Sequence, residues 1–164
     1  MKKMHYAARL ASTSLAMLIS APVFAQLPVQ KTLTLEVAQA IAQAAMAQCR
    51  ADGFKVSVVV VDQANQLKAF ARDDGAAFGT IEVARMKANT VMTFGRPSGP
   101  PANLPPGAPI PVPTIAGTVN SRGGVPIKVG DQLVGAVSVS GAAGGDKDAA
   151  CATAALAKVA DKLR

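Results

Sequence analysis

The chain has 164 residues, half of them hydrophobic, with 17 Lys and Arg against 10 Asp and Glu, one histidine and no tryptophan. That is one domain's worth of chain, long enough for one packed core, and its dispersed basic residues and few aromatics exclude the clustered charge and stacking faces that nucleic-acid binding needs. The lone imidazole, His5, lies in a segment that reads as a cleaved leader, which excludes histidine-based hydrolysis and histidine-ligated metal from the mature chain.

Lys2, Lys3 and Arg9 form a positive n-region ahead of an apolar stretch around Leu15 to Ile19, and Val23 and Ala25 place small residues at the −3 and −1 positions. This is the layout of a secretory signal over residues 1–25, cut before Gln26. The apolar run is too short and too interrupted by Ser and Thr to favour spanning a bilayer. After signal cleavage we therefore expect no membrane association, and a location in the periplasm or outside the cell. The mature chain keeps a net charge of only about +4. Its two cysteines, Cys49 and Cys151, would meet an oxidising compartment, where a disulfide is the expected state and two buried thiols the alternative. Pairing would close a loop of about a hundred residues, worth up to about 4–5 kcal/mol in the chain-entropy model.

Residues 26–33 read as an arm, and 34–164 as the single domain. Thr34 has N-cap character and Glu36 sits in the first turn of a helix running to Ala51, where Gly53 stops it. The β-branched run at 55–61 predicts a buried strand, and 67–72 the second arm of a hairpin across an Asp-Gln-Ala-Asn-Gln turn. A second helix is expected over 81–94, capped by Thr80 and ended by Gly95 and Pro97. Residues 97–113 contain eight prolines and two glycines, too many prolines for a central strand, and read as an irregular loop able to wall a pocket or a subunit contact. A short edge strand is expected at 114–119. The runs 125–129 and 132–140 flank Gly130-Asp131 as a hairpin. Gly141 to Gly145 connects to a last helix, capped by Asp146 or Asp148 and running to about Leu163. The short links within strand pairs predict a mainly antiparallel sheet.

Several phrases, taken in order, resemble the GlcG/HbpS-like haem-binding family, also described as haem-degrading and found as the C-terminal module of PduO-type proteins. They are Val58-Val59-Val60-Val61-Asp62 with Gln66 to Arg72 and Asp74-Gly75-Ala76; Ile81 to Arg85 with Lys87, Thr90 and Phe94-Gly95-Arg96-Pro97; Gly123-Gly124-Val125-Pro126-Ile127 with Val134 to Gly141; and Asp148-Ala149-Ala150-Cys151-Ala152. The resemblance covers residues 34–163. It implies an α/β (α+β) single domain of profilin-like or PAS-like character, with a five-stranded, mainly antiparallel sheet and flanking helices. It also implies a homo-oligomer, from dimer to octamer, and haem as the cofactor, with fold transferring better than function.

Without histidine, a haem iron would have to take Met, Lys, Cys or an oxygen donor, or no protein ligand at all. Met46, Met86 and Met92 are the soft candidates, with core packing as the ordinary role. Thr90 and Thr118 are oxygen-donor candidates. Lys87, Arg96 and Arg122 are the residues expected to hold haem propionates, or another carboxylate, at the mouth of an apolar pocket by charge-assisted hydrogen bonds. Their alternative roles are surface solubility and ion pairs between subunits. Catalytic machinery is missing from the pattern: there is no S-x-x-K and no C-x-x-C. Gly141 to Gly145 lacks the Lys-Ser/Thr of a phosphate loop, and Asp146 and Asp148 stand where the anion would bind. Asp73, Asp74 and Glu82 lack a calcium-loop spacing. The expectation is an exported haem- or tetrapyrrole-binding protein without a strong catalytic role. The alternatives are an enzyme or accessory protein acting on a small, glycolate-like carboxylate, and a structural oligomer without ligand.

Overall fold

The computed structural model describes residues 29–101, 103–105, 107–109 and 115–164. The leader and the first three residues of the arm lie outside these residues, as does the start of the expected strand at 114–119.

The elements follow the order α1 (Leu35–Ala51), β1 (Ser57–Asp62), β2 (Leu67–Arg72), α2 (Thr80–Phe94), β3 (Gly124–Val129), β4 (Gln132–Ser140) and α3 (Gly145–Lys158), with a 3-10 turn at Ala160–Lys162. The four strands form one sheet in the order β2-β1-β4-β3, every neighbouring pair antiparallel. This is an α+β domain. The expected five-strand sheet has four strands among the described residues. Residues 115–119 form a turn, because their backbone groups are satisfied elsewhere: the Thr118 N–H and hydroxyl both donate to the Ile115 carbonyl, and the Val119 N–H donates to the Thr90 hydroxyl. A peptide bonded in this way has no free ladder to offer β3.

β1 explains the layering. Val58, Val59, Val60 and Val61 are all buried, so the strand is apolar on both faces. Val58 and Val60 join Val137 and Val139 of β4 beneath α1 and α3, against Ile41, Ala45 and Ala152. Val59 and Val61 face α2, where Ala84, Ala88, Val91 and Ala136 close a smaller cluster. Each fully buried valine contributes roughly 1.5–3 kcal/mol of transfer free energy. The alanine-rich faces of α1 and α3 let the two helices lie close on the sheet, and the Cys49–Cys151 disulfide joins them, with Cα atoms 5.5 Å apart.

The helix ends differ in how they are capped. Thr34 caps α1, its hydroxyl accepting the Val37 N–H at 3.3 Å. The expected Thr80 cap is displaced by one residue: Gly79 is the N-cap of α2, and the Thr80 hydroxyl donates to the Ala77 carbonyl and lies 2.9 Å from Ser57 Oγ. Gly95 ends α2 in the left-handed region, at φ 65°. Neither Asp146 nor Asp148 caps α3. Gly144 holds that position without a side-chain bond, and both acids fall in the first turn, where they oppose the helix dipole. The α-helical part of α3 ends at Lys158 rather than near Leu163.

Candidate functional site

Four segments converge at one end of the sheet: the loop leaving α2, the turn entering β3, β3 itself and the first turns of α3. Between them lies a cleft of about 430 Å³, within the range of small-molecule sites, roughly 300–1,000 Å³. Pro97, Pro100, Pro101, Val125 and Ala149 give it apolar walls, and Arg96, Arg122, Asp146 and Thr153 bring polar groups to it.

Sequence-local chemistry sets this geometry. Gly95 turns the chain out of α2 and Pro97 forbids its continuation. Ser98 then stitches the loop to the sheet. Its hydroxyl donates to the Ser121 carbonyl at 2.7 Å and accepts the Gly124 N–H at 2.8 Å, while its own N–H donates to the Gly124 carbonyl. Gly123 and Gly124 are required by close approach. A Cβ on Gly123 would lie 2.7 Å from Lys87 Nζ and 2.6 Å from the Val139 carbonyl, and one on Gly124 would lie 2.7 Å from the Lys87 carbonyl.

Two cations reach the cleft. The Arg96 guanidinium lies 5.4 Å from the centroid of the Phe94 ring and donates from Nη1 to the Gly99 carbonyl at 3.1 Å. Arg122 donates from Nη1 to Asp146 Oδ1 at 2.7 Å in an exposed ion pair. A guanidinium carries five N–H donors, so each arginine keeps donors beyond these bonds. Asp146 is the opposing feature, a carboxylate at the rim that competes with any anionic ligand for Arg122.

Lys87 is placed differently from the other two. It is 1% exposed, and its ammonium donates to Asp148 Oδ2 at 2.6 Å and to the Val139 carbonyl at 2.9 Å. The pair joins α2 to α3, helices on opposite faces of the sheet, behind the Gly123 wall of the cleft. The other Asp148 oxygen accepts the Ala142 N–H at 2.9 Å, which holds the β4–α3 connection. A buried, fully bonded pair of this kind is costly to break from one side. Lys87 is therefore brought beneath the cleft and not to its mouth.

The two threonines stand apart from the cleft walls. The Thr90 hydroxyl lies 2.8 Å from the Met86 carbonyl and 3.1 Å from that of Val119, and accepts the Val119 N–H. It clamps the 115–119 turn onto α2. Thr118 closes that turn. Met46 packs in the core under α1, and Met92 lies against the α2 cluster. Asp73 is buried and bonded to Arg50 at 2.7 Å, and among the described residues no three His, Cys, Asp or Glu side chains converge as a metal site. Among those residues, too, no helix is long and apolar enough to cross a membrane.

The proline-rich loop was legible as a possible wall, and Pro97, Pro100 and Pro101 line the cleft. Ser98 and Thr153 were not singled out by sequence, and Ala149 stood only within the phrase Asp148 to Ala152. Ser98 had a usable signal, a serine between a helix stop and a proline pair; Thr153 had none beyond lying one turn from Ala149.

Residues 33–157 match the family model described as "Haem degrading protein HbpS-like". Among solved structures, that of HbpS is 34% identical with a TM-score of 0.71, the match covering 85% of this chain and 99% of that one. A double mutant of the Streptomyces reticuli HbpS matches equally, over 97% of its length. The Klebsiella pneumoniae protein ORFY (23% identity, TM-score 0.72, 83% of this chain and 96% of that one) and PduOC solved as a heme complex (21%, 0.65, 77% and 94%) share the fold. No curated protein sequence matches the chain.

Proposed function

The chain belongs to the HbpS-like haem-degrading family, and from that membership we propose that it is an exported haem- or tetrapyrrole-binding protein without a strong catalytic role. The observation that carries the reading is the cleft, whose apolar walls of Pro97, Pro100, Pro101 and Val125 lie with two guanidinium groups. A flat apolar ring system with carboxylates at its edge has matching chemistry. Arg96 and Arg122 would hold the carboxylates, and the proline wall would lie against the ring.

The fit is partial. The walls and cations suit the macrocycle and its propionates; the donor set does not suit its iron. A bound haem would supply an iron centre to this site, and the residues at hand bind and orient its periphery. The catalytic reading is the weaker one because, among the described residues, no base is bonded to a nucleophile there: Asp146 pairs with Arg122, and the Ser98 hydroxyl bonds to the Ser121 carbonyl and the Gly124 N–H.

Titration of the exported protein with haemin tests the reading. The expected result is a saturable Soret shift at micromolar haemin that Arg122→Ala weakens. A spectrum equal to the protein-free control would reject it. The arginine pair also favours a second reading, a small carboxylate as ligand. In that case a panel of small acids raises the Tm where haemin does not.

The leader layout and the buried disulfide support export. Self-association, from dimer to octamer, belongs to the same reading. Leu67 and Phe70 on the edge strand β2 are 51% and 45% exposed, and Phe78, in the connection from β2 to α2, is 92% exposed. Light scattering on Phe70→Asp should report smaller particles than the parent protein, and equal particles would count against this edge as a contact.

A further inference from the structure

We propose that the cleft recognises its tetrapyrrole by carboxylates and a flat face and not by the central metal, so that a metal-free dicarboxylate porphyrin is as good a ligand as the iron complex. The inference rests on the tetrapyrrole reading above.

The donor inventory carries it. The ordinary protein ligands to haem iron are imidazole, thiolate, thioether or phenolate groups, and aliphatic hydroxyls are weak donors beside them. Among the described residues, none of the ordinary ligands lines the cleft. Both cysteines of the chain are consumed in the disulfide. Met46 is a buried residue of α1, Met92 packs against the α2 cluster, and neither these nor Met86 lines the cleft. The Lys87 nitrogen is an ammonium bonded to Asp148 and the Val139 carbonyl, with the Gly123 backbone packed over it. The proline-rich loop supplies none either: residues 102, 106 and 110–114 are Ala, Pro and Ile-Pro-Val-Pro-Thr by sequence, without a nitrogen or sulfur side chain.

The polar groups that do reach the cleft are of another kind. Arg96 and Arg122 cannot give up a proton to become ligands, and they match carboxylates in shape and charge. The Ser98 hydroxyl already donates to Ser121 and accepts from Gly124. Asp146 is paired with Arg122. Differential binding of iron over no iron needs a group that interacts strongly with the metal; Thr153 brings only an aliphatic hydroxyl, and the other polar groups at the cleft bond to the backbone, to one another or to the ligand's edge.

Three probes test this on the exported protein: haemin, metal-free protoporphyrin IX, and protoporphyrin IX dimethyl ester. Haemin binding is read by absorbance, porphyrin binding by fluorescence polarisation, and competition by loss of porphyrin emission. We expect haemin and protoporphyrin IX to compete and to bind within about threefold of one another, and the ester to bind about tenfold or more weakly, since it forfeits charge-assisted hydrogen bonds. Arg96→Ala and Arg122→Ala should weaken haemin and protoporphyrin IX by the same factor and leave the ester unchanged. Haemin binding about tenfold or more tightly than the metal-free ring would overturn the inference and leave the haem reading standing. An ester that binds as well as the free acid would overturn it too. Failure of all three probes to bind would remove the tetrapyrrole reading and this inference with it.

Discussion

On one side of the sheet, α1 and α3 bury Val58, Val60, Val137 and Val139 against an alanine-rich surface and are tied by Cys49–Cys151. On the other, α2 closes a cluster of only Val59, Val61, Ala84, Ala88, Val91 and Ala136, and buries Lys87 and Thr90 with the Ser138 hydroxyl, which donates to the Ala84 carbonyl. The first side is held by area removed from water and one covalent link. The second is held by directional bonds whose partners lie far apart in sequence. Area tolerates exchange of one apolar residue for another, whereas a buried ion pair tolerates loss of neither member. The cleft lies at the end of the molecule where the two meet: Lys87, Asp148 and Ser98 hold its Gly123–Gly124 wall, while Val125 and the α3 wall rest on the main core.

This contrast can be broken from either side. The largest effect is expected from Lys87→Met, which strands the Asp148 carboxylate in the interior and should cost about 3–5 kcal/mol in urea unfolding. Adding Asp148→Leu to it should recover part of that loss, and a double variant as unstable as the two singles summed would show that the pair acts as two independent residues. Next is the covalent side. Cys49→Ala with Cys151→Ala should lower stability by about 2–5 kcal/mol while leaving porphyrin affinity unchanged at temperatures where the protein is folded. A change in affinity would mean that the two sides are less separate than described.

Thr90→Val keeps the shape and removes the hydroxyl. The part-buried Val119 N–H loses its acceptor, at a cost of about 0.5–1.5 kcal/mol, and hydrogen exchange at Val119 should accelerate while exchange in β1 does not. The smallest effect is at the rim. Asp146→Asn removes the exposed partner of Arg122 and should tighten haemin binding by a factor of about 2–5, as expected for release of a surface ion pair. Weaker binding by this variant would assign Asp146 to the ligand and not to competition with it.

Elements with local causes were legible in the sequence. Thr34 and Gly53 bracket α1, Gly95 and Pro97 end α2, and Gly130-Asp131 turns the β3–β4 hairpin, all as local chemistry dictates. What was not legible depends on partners distant along the chain. Val119 has the β-branched character of a strand residue, yet its N–H goes to Thr90, 29 positions away. Lys87 has the look of a surface cation on a helix, and only Asp148, 61 positions on, makes its burial tolerable. The cleft was half visible: its arginines and its proline wall stood out by residue type, while the alanine and threonine of α3 that complete it became recognisable only once the helix was set beside the loop.

The disulfide has one further consequence. Its two ends are 102 residues apart, so the ring they close contains the whole sheet, α2 and the proline-rich loop. A peptidase that cuts once anywhere inside that ring opens the polypeptide without releasing a piece. Such nicked molecules would migrate as one species on a non-reducing gel and separate into two bands when dithiothreitol is added. In a compartment shared with hydrolases, damage at the mouth of the cleft would leave the two halves physically attached and the remaining packing in register.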